Sequence, residues 1–457
     1  MSQQMTGRRV TGRRVTGRRV TRERPVRGRA MATSARAGLA LLLVAVCGLA
    51  GCSGGGGSAQ VVHVLGPWTD AEQASFLAVV APFEQRTGIK VDYEGSRDSD
   101  TALADRVAGG NPPDLADLSS PAKVAQYAKA GRLTPLDGAL DPSGLAKQYA
   151  PSWLGLGAVG GKQYAVVVKA AVKSLLWFSP KALAAHGWKP PGSWAELTGL
   201  DQRIAASGTP PWCVGLESSS ASGWPGTDWL EDIVLAQSGP DVYDRWTAGT
   251  LAWTSPQIRQ AWQTWGDVVG APGMVRGGPR GMLLSGFGTA GTSLFASSPG
   301  CFFDHEASFI TDDYQKDGSQ PVAGKDFDFV PFPRIDPAFG GTEEVAGDLL
   351  AMFHSTPAAR KLVAYLTTPE AQAIWVRRGG ALSPNRLVGT GDYPDALSGR
   401  LGQQLTEATA VRFDASDQMP DAMQVAFYEA VLSYVNNPSR LDAILADLDR
   451  VRANAYG

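Results

Sequence analysis

Between Val61 and Ser119 short apolar runs alternate with amphipathic stretches, and this order constrains the fold more than any other feature. Val61–Leu65 reads as a buried strand. Ala71–Thr87 reads as a helix, with Phe76, Leu77, Val80 and Phe83 recurring near one face. Ile89–Tyr93 is the next strand, Leu103–Ala108 a second helix, and Pro112–Ser119 carries a short third strand into a loop. Strand, helix, strand, helix, strand at this spacing predicts a parallel sheet covered by helices. Further on, Val124–Ala130 is helical and closed by Gly131. Gly161–Val168 and Val172–Phe178 read as two strands separated by Lys169-Ala170-Ala171. Ile258–Val269 is helical, and Gly277–Thr292 is glycine-rich and expected to wrap a groove. Strand character returns at Phe327–Phe332 and Asp348–Phe353, then a helix at Pro357–Leu366, and Leu397–Ala455 reads as mostly helices. Two α/β lobes with more than one crossover account for this order, with the cleft between them as the expected ligand site. A chain of 457 residues supplies both cores.

The N-terminus reads as an address. Residues 6–20 repeat TGRRV three times, with no apolar face to bury. Met31 opens a second start: Arg36 is followed by the apolar run Gly38–Leu49 and then Leu49-Ala50-Gly51-Cys52. LAGC resembles a bacterial lipobox, which makes Cys52 the lipidated first residue of the mature chain and SGGGGS (residues 53–58) a flexible tether. An ordinary secretory signal or an uncleaved anchor is the alternative, and either Met1 or Met31 can be the initiator. Residues 1–51 hold eleven arginines and one acidic residue, Glu23. Taking these from the 42 basic and 44 acidic residues leaves 31 and 43, so the body carries a net charge near -12. That balance makes the body a poor candidate for binding nucleic acid or anionic lipid surfaces, and no nucleic-acid partner is expected. Four cysteines with no CxxC pair, and only four histidines, argue against a structural zinc site, and no metal or other cofactor is expected.

Six blocks carry a family resemblance: residues 66–98 (GPWTDAEQASFLAVVAPFEQRTGIKVDYEGSRD), 113–121 (PDLADLSSP), 172–183 (VKSLLWFSPKAL), 211–235 paired with 299–310, 379–385 (GGALSPN) and 412–420 (RFDASDQMP). In order and content they resemble the sugar-binding components of bacterial ABC importers, and more narrowly the α-glucoside subgroup, over nearly all of residues 60–455. The resemblance implies an α/β, two-lobed periplasmic-binding-protein-like fold of type II with an inter-lobe ligand cleft. Lobe one would be residues 60–172 and 326–378, and lobe two 173–325 and 379–457. It implies a monomer that closes around a sugar and is recognised by membrane permease subunits, with binding and no covalent step. It also places Cys213 and Cys301 in the subgroup's two matching blocks, so one disulfide is expected in lobe two, with two separate buried thiols as the alternative.

Sugars present apolar C–H faces edged by hydroxyls, so their sites need flat aromatic faces beside fixed acceptors. Thirteen tryptophans supply the faces. Trp68 ends the first strand, where ligand contact competes with packing at a strand end. Glu72 caps the next helix or meets ligand. Arg97 and Asp98 lie past the carboxyl end of the second strand, the binding edge of an open parallel sheet, or form a surface ion pair. Ser119 and Ser120 occupy the loop that matches the family's first-lobe contacts. Lys173 sits in an apolar crossing strand and needs either ligand or a carboxylate partner. Trp224, Asp228 and Trp229 form the densest sugar-type cluster, on a loop entering a helix that Asp228 would cap; the alternative puts both rings in the core. Asp348 is expected to reach the cleft ahead of Glu343 and Glu344. Gly379 and Gly380 offer close backbone approach, a hinge or a simple helix stop.

A glycoside hydrolase also combines aromatics with carboxylates, but no pair of acids stands apart here and no GxSxG, HExxH or P-loop pattern occurs. A binding protein for another solute and a structural cell-wall lipoprotein are the other two readings.

Overall fold

The computed structural model describes residues 60–314 and 320–457. Cys52, the tether and the arginine-rich segment lie outside the described residues.

The parallel unit expected from the first hundred residues is present. Val61–Gly66 pairs in parallel with Lys90–Gly95 on one side and with Leu115–Leu118 on the other. Helix Asp70–Thr87 connects the first pair, burying Phe76, Val79, Val80 and Phe83 and stopping at Gly88, whose φ of 70° suits glycine. The long strand Thr342–Met352 completes the sheet. One of its edges pairs first with Ala410–Phe413 in parallel and then with Leu115–Leu118 antiparallel; the other carries Ala165–Val172. The expected interruption at Lys169-Ala170-Ala171 is absent. Lys169 stands directly opposite Asp348, so its charge is answered within the sheet and the strand runs on to Val172. The break comes at Lys173-Ser174.

The second sheet has the order Asp328–Pro331, Leu175–Phe178, Phe303–His305, Trp212–Cys213. Against it pack helices Trp224–Ser238, Pro256–Val269, Asp421–Asn436 and Leu441–Ala455. Trp212, Trp229, Trp246, Trp253, Trp262 and Trp265 are all buried in this core, so most of the tryptophan excess serves packing.

The expected lobe boundaries shift in two places. Asp328–Pro331 pairs with Leu175–Phe178 and so belongs to the second sheet, because its apolar residues cover the crossing strand. Ala410–Phe413 belongs to the first sheet, through its pairing with Thr342–Val345. The chain therefore passes between the two sheets three times: at 172–175, at 331–342 and after Phe413. The glycine-rich stretch Gly277–Thr292 folds into the short helices Gly278–Leu284 and Phe287–Ala290 followed by a 3-10 turn.

Cys213 and Cys301 are disulfide-bonded, with Cα atoms 5.5 Å apart and 88 residues of separation. The bond ties the edge strand Trp212–Cys213 to the segment leading into Phe303–His305. Closing so long a loop restricts the unfolded chain, an effect of about 2–5 kcal/mol. Replacing both cysteines by serine, or adding reductant, is expected to lower the denaturation midpoint by a corresponding amount, read by urea unfolding.

Candidate functional site

Two polar clusters lie where the sheets meet, and two strands carry them both. Lys169 and Lys173 are four residues apart on the crossing strand and its exit, and Asp348 and Glu344 four apart on Thr342–Met352. Four residues of strand span about 13 Å.

In the first cluster Lys169 Nζ lies 2.8 Å from Glu72 Oε1 and 3.3 Å from Asp348 Oδ2. Arg97 reaches the other Glu72 oxygen at 2.8 Å. Burial pushes the Glu72 carboxyl up, but Lys169 and Arg97 outweigh it and hold the group below its usual range. Burial opposes the Lys169 charge, yet Asp348 and Glu72 raise its pKa above the ordinary lysine value. Trp68 faces inward. It is 1% exposed, its indole N–H donates to Asp348 at 3.0 Å, and its ring packs on Phe76, Tyr93 and Trp375. Packing at the strand end therefore describes Trp68, which positions Asp348 rather than offering a stacking face. Asp98 is exposed at the start of helix Ser99–Ala108 without capping it. Ser119 donates to Asp100 at 2.9 Å, and Ser120 caps helix Pro121–Lys129 by accepting from the Lys123 N–H. Arg97 is the exposed half of a surface pair, and Glu72 is half-buried without a capping role.

The second cluster surrounds Lys173. Its ammonium lies 2.8 Å from both Asp228 Oδ2 and Asp414 Oδ2, and 4.9 Å from the centre of the Trp224 ring. All three ionic side chains are buried. The lysine charge survives because Asp228 and Asp414 more than offset the burial that disfavours it. The two acids are not equivalent. Asp414 is also buried, but accepts from Lys173, Ser416 Oγ and the Asp417 N–H, and its carboxyl is held below the usual range. Asp228 has only the lysine, its Oδ1 has no donor among the described residues, and burial pushes it up. Glu344 closes the group with both oxygens buried and without donors among the described residues; burial and then the nearby Glu231 raise its pKa. Asp228, Glu344 and Asp414 converge closely enough to hold a cation, and the Lys173 ammonium supplies it. Asp228 is the fifth residue of its helix, which Gly223 begins, so it does not cap it. Gly223 has φ 110°, and a Cβ there would lie 2.5 Å from the Tyr428 carbonyl oxygen, so only glycine admits this entry.

Trp224 is half-buried and forms an aromatic group with Phe287 and Phe309, at 5.0 and 6.0 Å between ring centres. Trp229 is 1% exposed and stacks on His305 at 4.5 Å with Trp212 edge-on; it belongs to the core. Glu306 follows the strand Phe303–His305. Ser308 stitches this segment to Val172 by two hydrogen bonds, which sets Glu306 beside Lys173. Its Oε2 is buried and has no donor among the described residues, and burial, then the Asp304 charge, raises its pKa. Gly379 ends helix Pro369–Arg378 at φ 89°. Gly380, φ 69°, lies so close to the Asp312 carboxylate that a Cβ would sit 2.1 Å from it. Asp117, Lys169, Glu306, Asp414, Phe287 and Phe309 were not singled out by the sequence; an acid ending a fully buried strand was the available signal for Asp117.

The family model of bacterial extracellular solute-binding proteins matches residues 66–373. The chain is a bacterial extracellular solute-binding protein. The osmoprotective compounds-binding protein GgtB of Synechocystis sp. is 36% identical over 399 residues, covering 86% of this chain and 94% of that protein. The alpha-glucosides-binding periplasmic protein AglE of Rhizobium meliloti is 33% identical over 393 residues, covering 84% and 85%. Among solved structures, the bacterial solute receptor AcbH superposes with a TM-score of 0.76 at 16% identity, covering 87% of this chain and all of that one. A chitin oligosaccharide binding protein gives 0.73 at 20%, covering 88% and 100%. These likenesses establish the two-lobed type II fold. The relatives are binding components of ABC transporters, not enzymes.

Removing one member of a buried ion group strands the others. Lys173→Met is expected to destabilise the protein by about 3–5 kcal/mol. Adding Asp414→Asn to it should recover part of that loss, measured by urea unfolding at neutral pH.

Proposed function

We propose that this solute-binding protein captures a neutral di- or oligosaccharide, with α-linked glucose as the favoured class, and delivers it unchanged to an ABC permease. The observation that carries the reading is the half-buried Trp224, grouped with Phe287 and Phe309 and set 4.9 Å from the Lys173 ammonium that Asp228 holds. An aromatic face accepts the C–H side of a sugar, and carboxyl groups near it match hydroxyls, the ionised form by accepting and the neutral form by donating as well. Binding would draw the lobes together about the three connections. The name of AglE supports glucosides. The name of GgtB supports a second reading, a small osmoprotective solute in the same cleft.

Lipid attachment at Cys52 would hold the protein at the outer face of the cytoplasmic membrane as a monomer. Cys52→Ala is then expected to move it from the membrane fraction to the medium; retention in the membrane fraction would count against that attachment.

Calorimetric titration of residues 59–457 with maltose, trehalose, sucrose, longer α-glucans and non-sugar osmolytes tests the ligand class. One glucoside should bind and be recovered intact, whereas binding of a non-sugar osmolyte alone would favour the second reading. Trp224→Ala is expected to weaken binding by about 1–3 kcal/mol. Trp229→Ala is expected instead to cost about 3–5 kcal/mol of stability. Unchanged affinity in the Trp224 variant would remove that ring from the site.

A further inference from the structure

We propose that Lys123 and Asp421 are positioning residues for ligand capture: an ion pair between the two lobes, made when the lobes come together and broken when they part, that prolongs ligand retention without touching the ligand. The proposal rests on the reading that the lobes close around a solute, not on which solute it is.

Lys123 lies in helix Pro121–Lys129, which follows strand Leu115–Leu118 of the first sheet and buries Val124 in the first core. Asp421 opens helix Asp421–Asn436, which buries Met423 and Phe427 in the second core. The Lys123 ammonium stands between two carboxylates, Asp100 Oδ2 at 3.4 Å on its own lobe and Asp421 Oδ1 at 3.6 Å on the other. The Ser119 hydroxyl donates to the same Asp100 oxygen at 2.9 Å and holds that carboxylate in place. Burial opposes the Lys123 charge, but Asp100 and then Asp421 outweigh it. Beside the pair, a groove of about 710 Å³ runs between the lobes. Ala122 and Ala125 line it from the Lys123 helix, and Thr247 and Ala248 line it from the end of helix Pro240–Thr247, whose Tyr243 and Trp246 are buried in the second core. Along this groove Lys123 and Asp421 reach each other by their side-chain tips.

The exposures suit a contact that breaks. The Lys123 side chain is 20% exposed and keeps Asp100 when the lobes part, while Asp421 is 69% exposed and is then solvated by water. Parting therefore strands no buried charge. The Lys173 group is the opposite case: Lys173, Asp228 and Asp414 are all buried, and pulling them apart would leave charges unpaired. One ion group stays intact through the motion and the other switches. A bond made only in the closed arrangement shifts the equilibrium toward closure and slows the escape of whatever is enclosed.

Spin labels at Gln85→Cys and Gln263→Cys, exposed positions on helices Asp70–Thr87 and Pro256–Val269, report lobe separation in the ligand-free protein by pulsed electron resonance. D421N should lower the ratio of short to long separations about two- to fivefold, the range of an exposed pair. D421E, which keeps the carboxylate, should restore most of it. K123M should match D421N, and the double variant should lose no more than either alone. Raising the ionic strength from about 0.05 M to about 0.5 M should move the wild type toward the D421N distribution and leave D421N unmoved. With maltose or trehalose bound, D421N should speed release by the same factor and leave the association rate within about twofold. Thermal melts confirm that each variant is folded. An unchanged distribution in D421N, or losses that add in the double variant, would overturn the latch. If the wild-type protein binds neither sugar, the glucoside reading fails while the separation measurements still decide the latch.

Discussion

The junction between the two sheets is organised around one buried ammonium. Lys173 sits where the first connection leaves the larger sheet. It bonds Asp414 on the third connection, and its backbone N–H donates to the carbonyl of Glu344, next to the second. Asp228 joins from the helix that carries Trp224. A buried charge is tolerable only when oppositely charged partners are close. That requirement fixes three separate stretches of chain relative to one another at the place where a two-lobed protein must bend.

The ladder of charges continues along the same two strands. Lys169 opposite Asp348 repeats the pattern of Lys173 beside Glu344. Each cluster therefore sets one lysine against more acids than that lysine can satisfy. On the proposed reading, acceptors without donors among the described residues would favour a ligand that brings hydroxyls and disfavour one that brings negative charge. Burial, and then the neighbouring acids, push the carboxyls of Glu344 and Glu306 above their usual range.

Local periodicity made the parallel unit legible: Val61–Leu65, Ala71–Thr87 and Ile89–Tyr93 each announce their own structure, and so does the helix from Pro357. What stayed illegible is non-local. Trp68 reads as a cleft residue until Asp348, 280 positions away, is found holding its indole. Lys169 looks like a strand break because its answering charges are remote in sequence. The partners of Lys173 lie 55 and 241 residues away, so the need for a partner was readable but its identity was not. Trp224 and Trp229 are five residues apart on one helix, and only tertiary packing separates the half-buried ring from the core one. Phe287 and Phe309 come from segments whose composition signals nothing about sugar.

The most direct test of the central claim is a crystal structure of the protein with the glucoside that binds tightest. The account predicts a sugar ring stacked on Trp224, with hydroxyls donated to Asp228 and Glu306, and Lys173 still held by Asp414. A ligand seated away from Trp224, with those carboxylates contacting only protein, would contradict it.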